Sequence, residues 1–120
     1  MFIIFVIIFK YSTMKIAISS TGFDLESFID SRFGRCLCFV IYDSETRSIE
    51  FLPNPNRENS EGAGPSSAQY VINKGVQLVI SGEFGVKVRN IFDSLQIGYK
   101  IIENDKTTVS EVIDKILWQD

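Results

Sequence analysis

The sequence predicts a single α/β domain, a three-layer α/β/α sandwich around a mixed five-stranded sheet whose second strand is antiparallel to its neighbours. Three observations predict this fold class. Short apolar runs alternate with segments of helical periodicity in the second half of the chain. A polar turn in the first half joins two apolar runs into a hairpin. The length of 120 residues suffices for one hydrophobic core.

The first half of the domain carries three predicted strands. Residues 15–19 form a short apolar strand that ends in a Ser-Thr-Gly turn. Residues 36–42 are continuously apolar, which is typical of a strand covered on both faces. A polar turn at 43–46 leads into a strand at 48–52, so the second and third strands form a β-hairpin.

The second half alternates three amphipathic helices with two strands. Apolar residues at i, i+3, i+4 and i+7 place helices over 68–75, 88–95 and 109–117. Apolar runs at 76–80 and 99–102 lie between these helices. Helical crossovers join parallel strands, so the last strands should be parallel to the first.

Several residues mark the ends of these helices. Pro65 suits the first turn of the first helix. Gly75 and Gly98 fall where the first and second helices should end. Thr108 and Glu111 have the spacing of a capping box at the start of the third helix.

Residues 1–13 differ from the rest of the chain. Residues 2–9 are uniformly apolar, but this stretch is much shorter than the roughly 20 residues of a membrane-spanning helix. Lys10 follows the apolar stretch, whereas a signal peptide has its basic residues before it. We therefore expect residues 1–13 to be an N-terminal extension outside the fold and 14–120 to form a single domain, with an interfacial membrane anchor as the alternative for residues 1–13.

Composition excludes several classes of function. The net charge of −3 argues against nucleic acid as a partner, because phosphate binding needs a concentrated basic surface. The chain contains no histidine, which excludes histidine triads and most zinc enzyme sites. Its two cysteines, at i and i+2 of one strand, cannot readily form an unstrained disulfide. Reduced thiols predict a cytoplasmic protein.

The predicted topology brings four glycine-containing or polar loops to one edge of the sheet. These are residues 22–35, 54–64, 82–85 and 104–107. Ligands of open α/β sheets bind outside the carboxyl ends of the parallel strands. Glycines there let backbone N–H groups approach an anion, particularly at a helix N-terminus. For any single glycine, a tight turn without ligand contact is the alternative explanation.

The segment before the second strand combines charge with a thiol. Arg32 and Arg35 flank Phe33 and Gly34, and Cys36 follows where the loop becomes a strand. A thiolate near guanidinium groups has a lowered pKa and can ligate a soft metal. A buried core position is the alternative for Cys36, and it is the stronger interpretation for the second cysteine, at 38.

Several short motifs follow one another along most of the chain. They are Met14-Lys15-Ile16-Ala17-Ile18, Arg32-Phe33-Gly34-Arg35-Cys36, Asn54-Pro55-Asn56, Gly62-Ala63-Gly64, Lys74-Gly75-Val76, Val79-Ile80-Ser81-Gly82 and Gly85. Their order and spacing over about residues 14–117 resemble the dinitrogenase iron–molybdenum cofactor-binding family. The resemblance implies a ribonuclease H-like fold and a small stand-alone member. Many members have a histidine where this chain has Arg32, which argues against a histidine-ligated cofactor here.

The resemblance implies binding, carriage or sensing of an anionic metal–sulfur cofactor, without catalysis. The cofactor would be the iron–molybdenum cofactor or another molybdenum or iron–sulfur cluster, and cofactor-assembly proteins would be its partners. Neither nucleic acid nor a membrane is expected as a partner. Cys36 would be the metal ligand, and the cofactor-binding residues would be Arg32, Phe33, Gly34, Arg35, Gly62, Ala63, Gly64, Gly82 and Gly85.

Two further hypotheses remain open. A binding module for a phosphate-bearing small molecule or nucleotide would use the same glycines and arginines and leave the thiols idle. An enzyme is less well supported, because a solvated acidic loop explains its candidate acids equally well; these are Asp24, Glu26, Asp30 and Glu83. Nuclease activity would need clustered carboxylates, and the first strand ends in serines.

Overall fold

A five-stranded mixed sheet forms the centre of the computed structural model, which describes residues 14–117. The strand order is β3-β2-β1-β4-β5. β2 is antiparallel to both β1 and β3, while β4 and β5 are parallel to β1. The predicted mixed sheet is therefore confirmed. Its strands are β1 (Lys15–Ser20), β2 (Cys38–Asp43), β3 (Ile49–Pro53), β4 (Leu78–Ser81) and β5 (Gly98–Ile101).

Three helices cover the two faces of the sheet: α1 (Ala63–Asn73), α2 (Val86–Ser94) and α3 (Val109–Leu117). α1 and α2 pack on one face in a core cluster that includes Val71, Phe92 and the sheet residues Ala17, Phe39, Ile41 and Val79. α3 packs on the other face in a cluster that includes Val112 and the sheet residues Ile16, Ile18, Val40 and Ile80. Alternate strand residues thus enter opposite clusters, which confirms the predicted three-layer sandwich.

One edge of the sheet collects the loops that the topology predicted to meet. Ser20, the last residue of β1, pairs with Cys38, the first residue of β2. Cys38 also pairs with Pro53, the last residue of β3. The parallel strands β4 and β5 end at the same edge with Ser81 opposite Ile101. The loops after β1, β3, β4 and β5, and the segment before β2, therefore lie side by side.

The start of β2 differs from the prediction by two residues. Residues Phe33–Arg35 form a short 3₁₀ turn, and the strand begins at Cys38 rather than at Cys36. The carbonyl oxygen of Cys36 accepts a hydrogen bond from the Asn54 side chain at 3.1 Å. This side-chain amide takes the place of a neighbouring strand, so the backbone at Cys36 does not join the sheet.

The helix boundaries differ from the sequence patterns at the start of α1 and at the end of α2. α1 begins at Ala63, five residues before the predicted range of 68–75. Gly75 adopts a left-handed conformation (φ 82°) just after α1, as predicted. After α2 the left-handed residue is Gln96 (φ 58°), and Gly98 begins β5. The prediction that Gly98 ends the second helix is therefore wrong.

The capping box of α3 is present as predicted. The backbone N–H of Glu111 donates to Thr108 Oγ1 at 3.1 Å, and the N–H of Thr108 donates to Glu111 Oε1 at 3.3 Å. The predicted extension at residues 1–13 lies outside the described residues. Among residues 14–117, no helix has the length and apolar character needed to cross a membrane.

Candidate functional site

A cleft of about 500 Å³ opens at the carboxyl edge of the sheet. The 3₁₀ turn before β2 and the N-terminal turns of α1 and α2 surround it. Its volume falls within the range of small-molecule sites, roughly 300–1,000 Å³. The lining residues are Arg32, Phe33, Gly34, Arg35, Gly62, Ala63, Gly64, Pro65, Glu83, Gly85, Val86, Lys87 and Val88.

Close backbone packing holds the three walls of the cleft together. A Cβ atom on Gly34 would lie 2.6 Å from the backbone nitrogen of Gly64, so only glycine permits this approach of the 3₁₀ turn to α1. A Cβ atom on Gly64 would lie 2.9 Å from Cγ2 of Val88 on α2. The prediction that the arginine-containing segment and the glycines at 62–64 meet at one edge is confirmed.

Two helices begin at this cleft without side-chain caps. Gly62 precedes α1 in a left-handed conformation (φ 68°), and Gly85 precedes α2. Within residues 14–117, no protein acceptor takes the backbone N–H of Ala63 or Gly64, nor that of Lys87. The positive ends of two helix dipoles therefore lie at the same cleft, which favours an anion.

The two predicted arginines are held in different ways. Arg35 is half-buried, and its Nη1 donates to the backbone oxygen of Arg57 at 2.9 Å. The Arg32 side chain is 61% exposed, and its Nε lies 3.4 Å from Oδ1 of the buried Asp30. Asp30 Oδ1 also accepts the backbone N–H of Arg32 at 2.9 Å. Neighbouring groups thus orient both cations at the wall of the cleft.

Two further charged residues line the cleft that the cofactor-binding prediction did not include. Lys87 adds a third cation in the first turn of α2. Glu83, which the sequence offers only as a candidate catalytic acid, contributes one carboxylate, and its backbone forms an isolated parallel bridge with Arg32. Lys87 follows Gly85, the residue before α2, by two positions. This spacing places Lys87 in the first turn of the helix, so the sequence alone could have identified it as a cation at the site. These four side chains carry a net charge of +2, and the Asp30 carboxylate beside Arg32 reduces the local charge to +1.

The environment of Cys36 contradicts the expected lowering of its pKa. The residue is 0% exposed and is not among those that line the cleft. Burial raises the pKa of the Cys36 thiol to about 12, and the negative charge of Asp30 adds to the effect. Its Sγ lies 3.8 Å from Nδ2 of Asn54. The lowered pKa is a wrong prediction because the chain turns between Arg35 and Cys36, which leaves the guanidinium outside and the thiol in the core. Cys38 is buried, as predicted.

Gly82 and Phe33 differ in how they relate to the cleft. Gly82 is not among the lining residues, and a Cβ atom there would lie 2.5 Å from Cα of Ser31. Its missing side chain is therefore explained by close packing of two loops. Phe33 lines the cleft but is only 3% exposed, and its ring packs against Phe39 and Phe84 at centroid distances of 5.3 Å. Phe33 forms the floor of the cleft.

The candidate catalytic acids do not gather in this structure. Glu83 lines the cleft, and Asp30 holds Arg32. Asp24 instead accepts hydrogen bonds from the backbone N–H of Glu26 and the hydroxyl of Ser27, at 3.0 Å each, within an exposed turn. In the part of the chain that the structure describes, His, Cys, Asp and Glu side chains form no group of three that could hold a metal ion. The donors at the cleft suit an anion held by charge and hydrogen bonds.

The fold and the cleft define a small three-layer α/β domain with a basic, glycine-lined site at the carboxyl edge of its sheet. The chain belongs to the family described as dinitrogenase iron–molybdenum cofactor, whose family model matches residues 14–119. The resemblance carried by the sequence motifs is thereby confirmed.

Similar proteins cover nearly the whole chain. An uncharacterized protein of Methanocaldococcus jannaschii is 30% identical over 113 residues, which are 92% of this chain and 91% of that protein. The apo form of the orange protein from Desulfovibrio gigas superposes with a TM-score of 0.80 at 27% identity and covers 88% of both chains. A candidate NifB protein from Thermotoga superposes with a TM-score of 0.71 at 31% identity, over 88% of this chain and 89% of that one.

Proposed function

We propose that this protein binds an anionic metal–sulfur cluster in the cleft and carries or senses it without catalysing a reaction. The observation that carries this proposal is the convergence of Arg32, Arg35 and two uncapped helix N-termini on one cleft of about 500 Å³. Family membership supports it, because the family is described by the iron–molybdenum cofactor.

The chemistry of the lining residues suits non-covalent binding. Guanidinium groups form short, charge-assisted hydrogen bonds with anions. The free N–H groups of Ala63, Gly64 and Lys87 can donate to sulfur or oxygen atoms at the periphery of a cluster. A ligand held by charge and hydrogen bonds can exchange without breaking a protein–metal bond, as a carrier requires. The cargo would be the iron–molybdenum cofactor or another molybdenum or iron–sulfur cluster.

The same proposal implies the partner proteins and the cellular compartment. A carrier of this kind would receive or deliver its cluster by contact with cofactor-assembly proteins. The cytoplasm is the compartment that keeps both thiols reduced, and a free sulfide-containing cluster is stable only where oxidants are scarce. Ligation by Cys36 would require the thiol to leave the core, so Arg32 and Arg35 carry the proposal and the thiol is tested as a separate question.

Metal retention tests the proposed function. Reduced protein is mixed anaerobically with iron, molybdate and sulfide, desalted, and analysed for iron and molybdenum. We expect wild-type protein to retain both metals, and Arg35→Ala to lose most of them because a charge-assisted contact disappears. Lys115→Ala serves as the control, since Lys115 lies on α3, which packs on the opposite face of the sheet. Retention by Arg32→Ala/Arg35→Ala at the wild-type level would refute this site.

The Cys36 ligand is tested in the same experiment. Because the thiol is buried and its pKa is about 12, we expect Cys36→Ala to retain as much metal as wild type. Loss of metal in this variant, with unfolding temperature unchanged, would show that the thiol reaches the cluster and that the cleft rearranges on binding.

Binding of a phosphate-bearing small molecule is the second candidate function. The two uncapped helix N-termini favour it, because such termini bind phosphate in many folds. Thermal unfolding in the presence of a nucleotide and metabolite panel separates the two candidates. A large increase in unfolding temperature with one nucleotide, together with no retention of metal, would favour the phosphate ligand.

A further inference from the structure

Asn54 connects three parts of the cleft wall. It follows β3 and is only 7% exposed, although it lies in a polar loop. We propose, on the basis of the function proposed above, that Asn54 is a positioning residue for the ligand. It would fix the 3₁₀ turn against α1, so that Arg35 and the free N–H groups of α1 face one ligand together.

The side-chain amide of Asn54 uses its full hydrogen-bonding capacity. Its Nδ2 donates to the backbone oxygens of Gly34 at 3.0 Å and Cys36 at 3.1 Å. Its Oδ1 accepts from the backbone N–H of Asn56 at 3.0 Å and from the hydroxyl of Ser67 at 3.3 Å. An amide offers two donor hydrogens and two acceptor lone pairs, and all four have a partner within hydrogen-bonding distance, with the single Ser67 hydrogen shared between Asn54 Oδ1 and the Gly34 carbonyl oxygen.

These four bonds link separate elements. Gly34 and Cys36 belong to the segment that carries Arg35, and Ser67 lies on the second turn of α1. The Ser67 hydroxyl itself lies 3.2 Å from the backbone oxygen of Gly34. Asn54 therefore joins the loop after β3 to two walls of the cleft, the 3₁₀ turn and α1.

The same loop also orients the Arg35 side chain. The carbonyl that accepts the Arg35 guanidinium belongs to Arg57, three residues after Asn54, and the N–H of Arg57 lies 3.4 Å from the Asn54 carbonyl oxygen. Displacing Asn54 would thus affect the backbone of the 3₁₀ turn and the direction of the Arg35 cation at once.

Only an amide of this length fits the two carbonyl groups. Alanine at 54 would leave the buried carbonyl of Cys36 without its donor and the Gly34 carbonyl with the Ser67 hydroxyl alone, which is unfavourable. Aspartate would direct an anionic oxygen at the same two carbonyl oxygens. Asn54→Asp should therefore disturb the cleft at least as strongly as Asn54→Ala, although aspartate has almost the same shape.

Ligand affinity of matched variants tests the role of Asn54. The probe is tetrathiomolybdate, whose dissociation constant is measured by equilibrium dialysis. We expect Asn54→Ala to weaken binding about tenfold, the equivalent of one lost buried hydrogen-bond partner. Asn73→Ala, an exposed asparagine at the far end of α1, should bind like wild type. Wild-type affinity in Asn54→Ala would overturn the proposal.

A second comparison separates positioning from loss of stability. Val112→Ala removes a buried side chain on the opposite face of the sheet and lowers stability without touching the cleft. We expect Val112→Ala to keep its affinity at a temperature where both variants are folded. Equal weakening in Val112→Ala and Asn54→Ala would mean that Asn54 acts through stability alone, and would overturn the proposal.

Coupling to Arg35 gives a further test. If Asn54 acts by placing Arg35, then Asn54→Ala should weaken tetrathiomolybdate binding much less in an Arg35→Ala background than in the wild type. Full additivity of the two substitutions would overturn this part of the proposal.

Reactivity of the Cys36 thiol tests the positioning role without any ligand. Loosening the 3₁₀ turn should expose Cys36 to reagents. We therefore expect the alkylation rate of Cys36 in folded Asn54→Ala to rise about tenfold over wild type. This factor corresponds to the free energy of one lost hydrogen-bond partner. Peptide fragmentation assigns the modified cysteine. If wild-type protein binds no tetrathiomolybdate and retains no metal, the proposed metal–sulfur function fails, and this rate alone decides the role of Asn54: an unchanged rate would overturn it.

Discussion

Arg35 and Cys36 are neighbours in the chain, yet their side chains have opposite environments. The Arg35 guanidinium lines the cleft and donates to a carbonyl oxygen of the loop after β3. The Cys36 thiol is 0% exposed and belongs to the cluster beneath α1 and α2. A positive charge one residue away therefore does not activate this thiol, because burial disfavours the thiolate and the negative charge of Asp30 adds to the effect.

The buried thiol makes stability depend on pH in the alkaline range. Its pKa is about 12 in the folded protein, against an ordinary value of 9.0. The unfolded chain thus loses this proton from pH 9 upward while the folded protein keeps it, so the thiol's contribution is complete below pH 9 and is lost between pH 9 and about 12. At pH 10 this loss is about 1 kcal/mol.

Urea unfolding under reducing conditions checks this prediction. We expect the free energy of unfolding to fall less between pH 8 and pH 10 in Cys36→Ala than in wild type. The difference between the two pH values is the readout, because the substitution also changes stability at every pH. Equal falls in the two proteins would contradict the raised pKa.

At the residue scale, the sequence predicted the cations better than the thiol. Arg32 and Arg35 could be placed because the loop before β2 had to lie at the edge of the sheet. The position of Cys36 depends on whether β2 begins at residue 36 or 38. Hydrogen bonds from Asn54, 18 residues away, decide that question, and no local pattern reveals them.

Close packing of glycines sets the distance between the 3₁₀ turn and α1. Gly34→Ala would place a methyl group 2.6 Å from the backbone nitrogen of Gly64, so the two elements must separate. We expect this variant to lose about 1–3 kcal/mol of stability. Thermal unfolding measures the loss.

Gly85→Ala is the matched control for that substitution. No atom lies within 4 Å of a Cβ at Gly85, and its φ of −68° suits any residue. We expect this variant to unfold within a few degrees of wild type. A large loss of stability in Gly85→Ala, or none in Gly34→Ala, would show that the packing of the cleft walls differs from the one described.

The capping box of α3 should contribute to stability but not to binding. Thr108→Ala removes the oxygen that accepts the N–H of Glu111, and we expect it to cost about 1 kcal/mol. Because α3 packs on the opposite face of the sheet from α1 and α2, affinity for tetrathiomolybdate should be unchanged. Weakened binding in folded Thr108→Ala would mean that the two faces are coupled.

At the element scale, strong periodicity made the three helices predictable, whereas one helix end was not. The sequence offers Gly98 as the stop of α2, but the left-handed position is taken by Gln96. Glycine is favoured there without being required, and Gly98 instead pairs with Leu78 as the first residue of β5. Tertiary pairing overrode the local preference.

Charge is distributed unevenly over the whole molecule. The chain carries a net charge of −3, while the cleft carries Arg32, Arg35 and Lys87 against Glu83. An anionic ligand is therefore attracted locally by a protein that repels it at a distance. The predicted order of elements, with a hairpin and two crossovers, brings every loop of the cleft to one edge of the sheet. It therefore accounts for the clustering of the cationic side chains there.

Salt should accordingly weaken binding of an anion. We expect the dissociation constant for tetrathiomolybdate to rise several-fold between 50 and 300 mM sodium chloride, because the Debye length falls from about 14 to about 6 Å over this range. Sucrose at matched osmolality is the control for effects of water activity. Affinity that does not depend on salt would mean that the cations of the cleft do not contact the ligand.

Phe33 gives the cleft an internal reporter. Its ring contacts those of Phe39, Phe84 and Phe92, with centroids 5.3–5.8 Å apart. Interlocked rings can rotate only when the surrounding core expands briefly, so slow ring flipping should be visible as line broadening in aromatic NMR spectra. A ligand seated directly above Phe33 would alter its ring-current environment, which allows occupancy to be followed at one side chain without any added label.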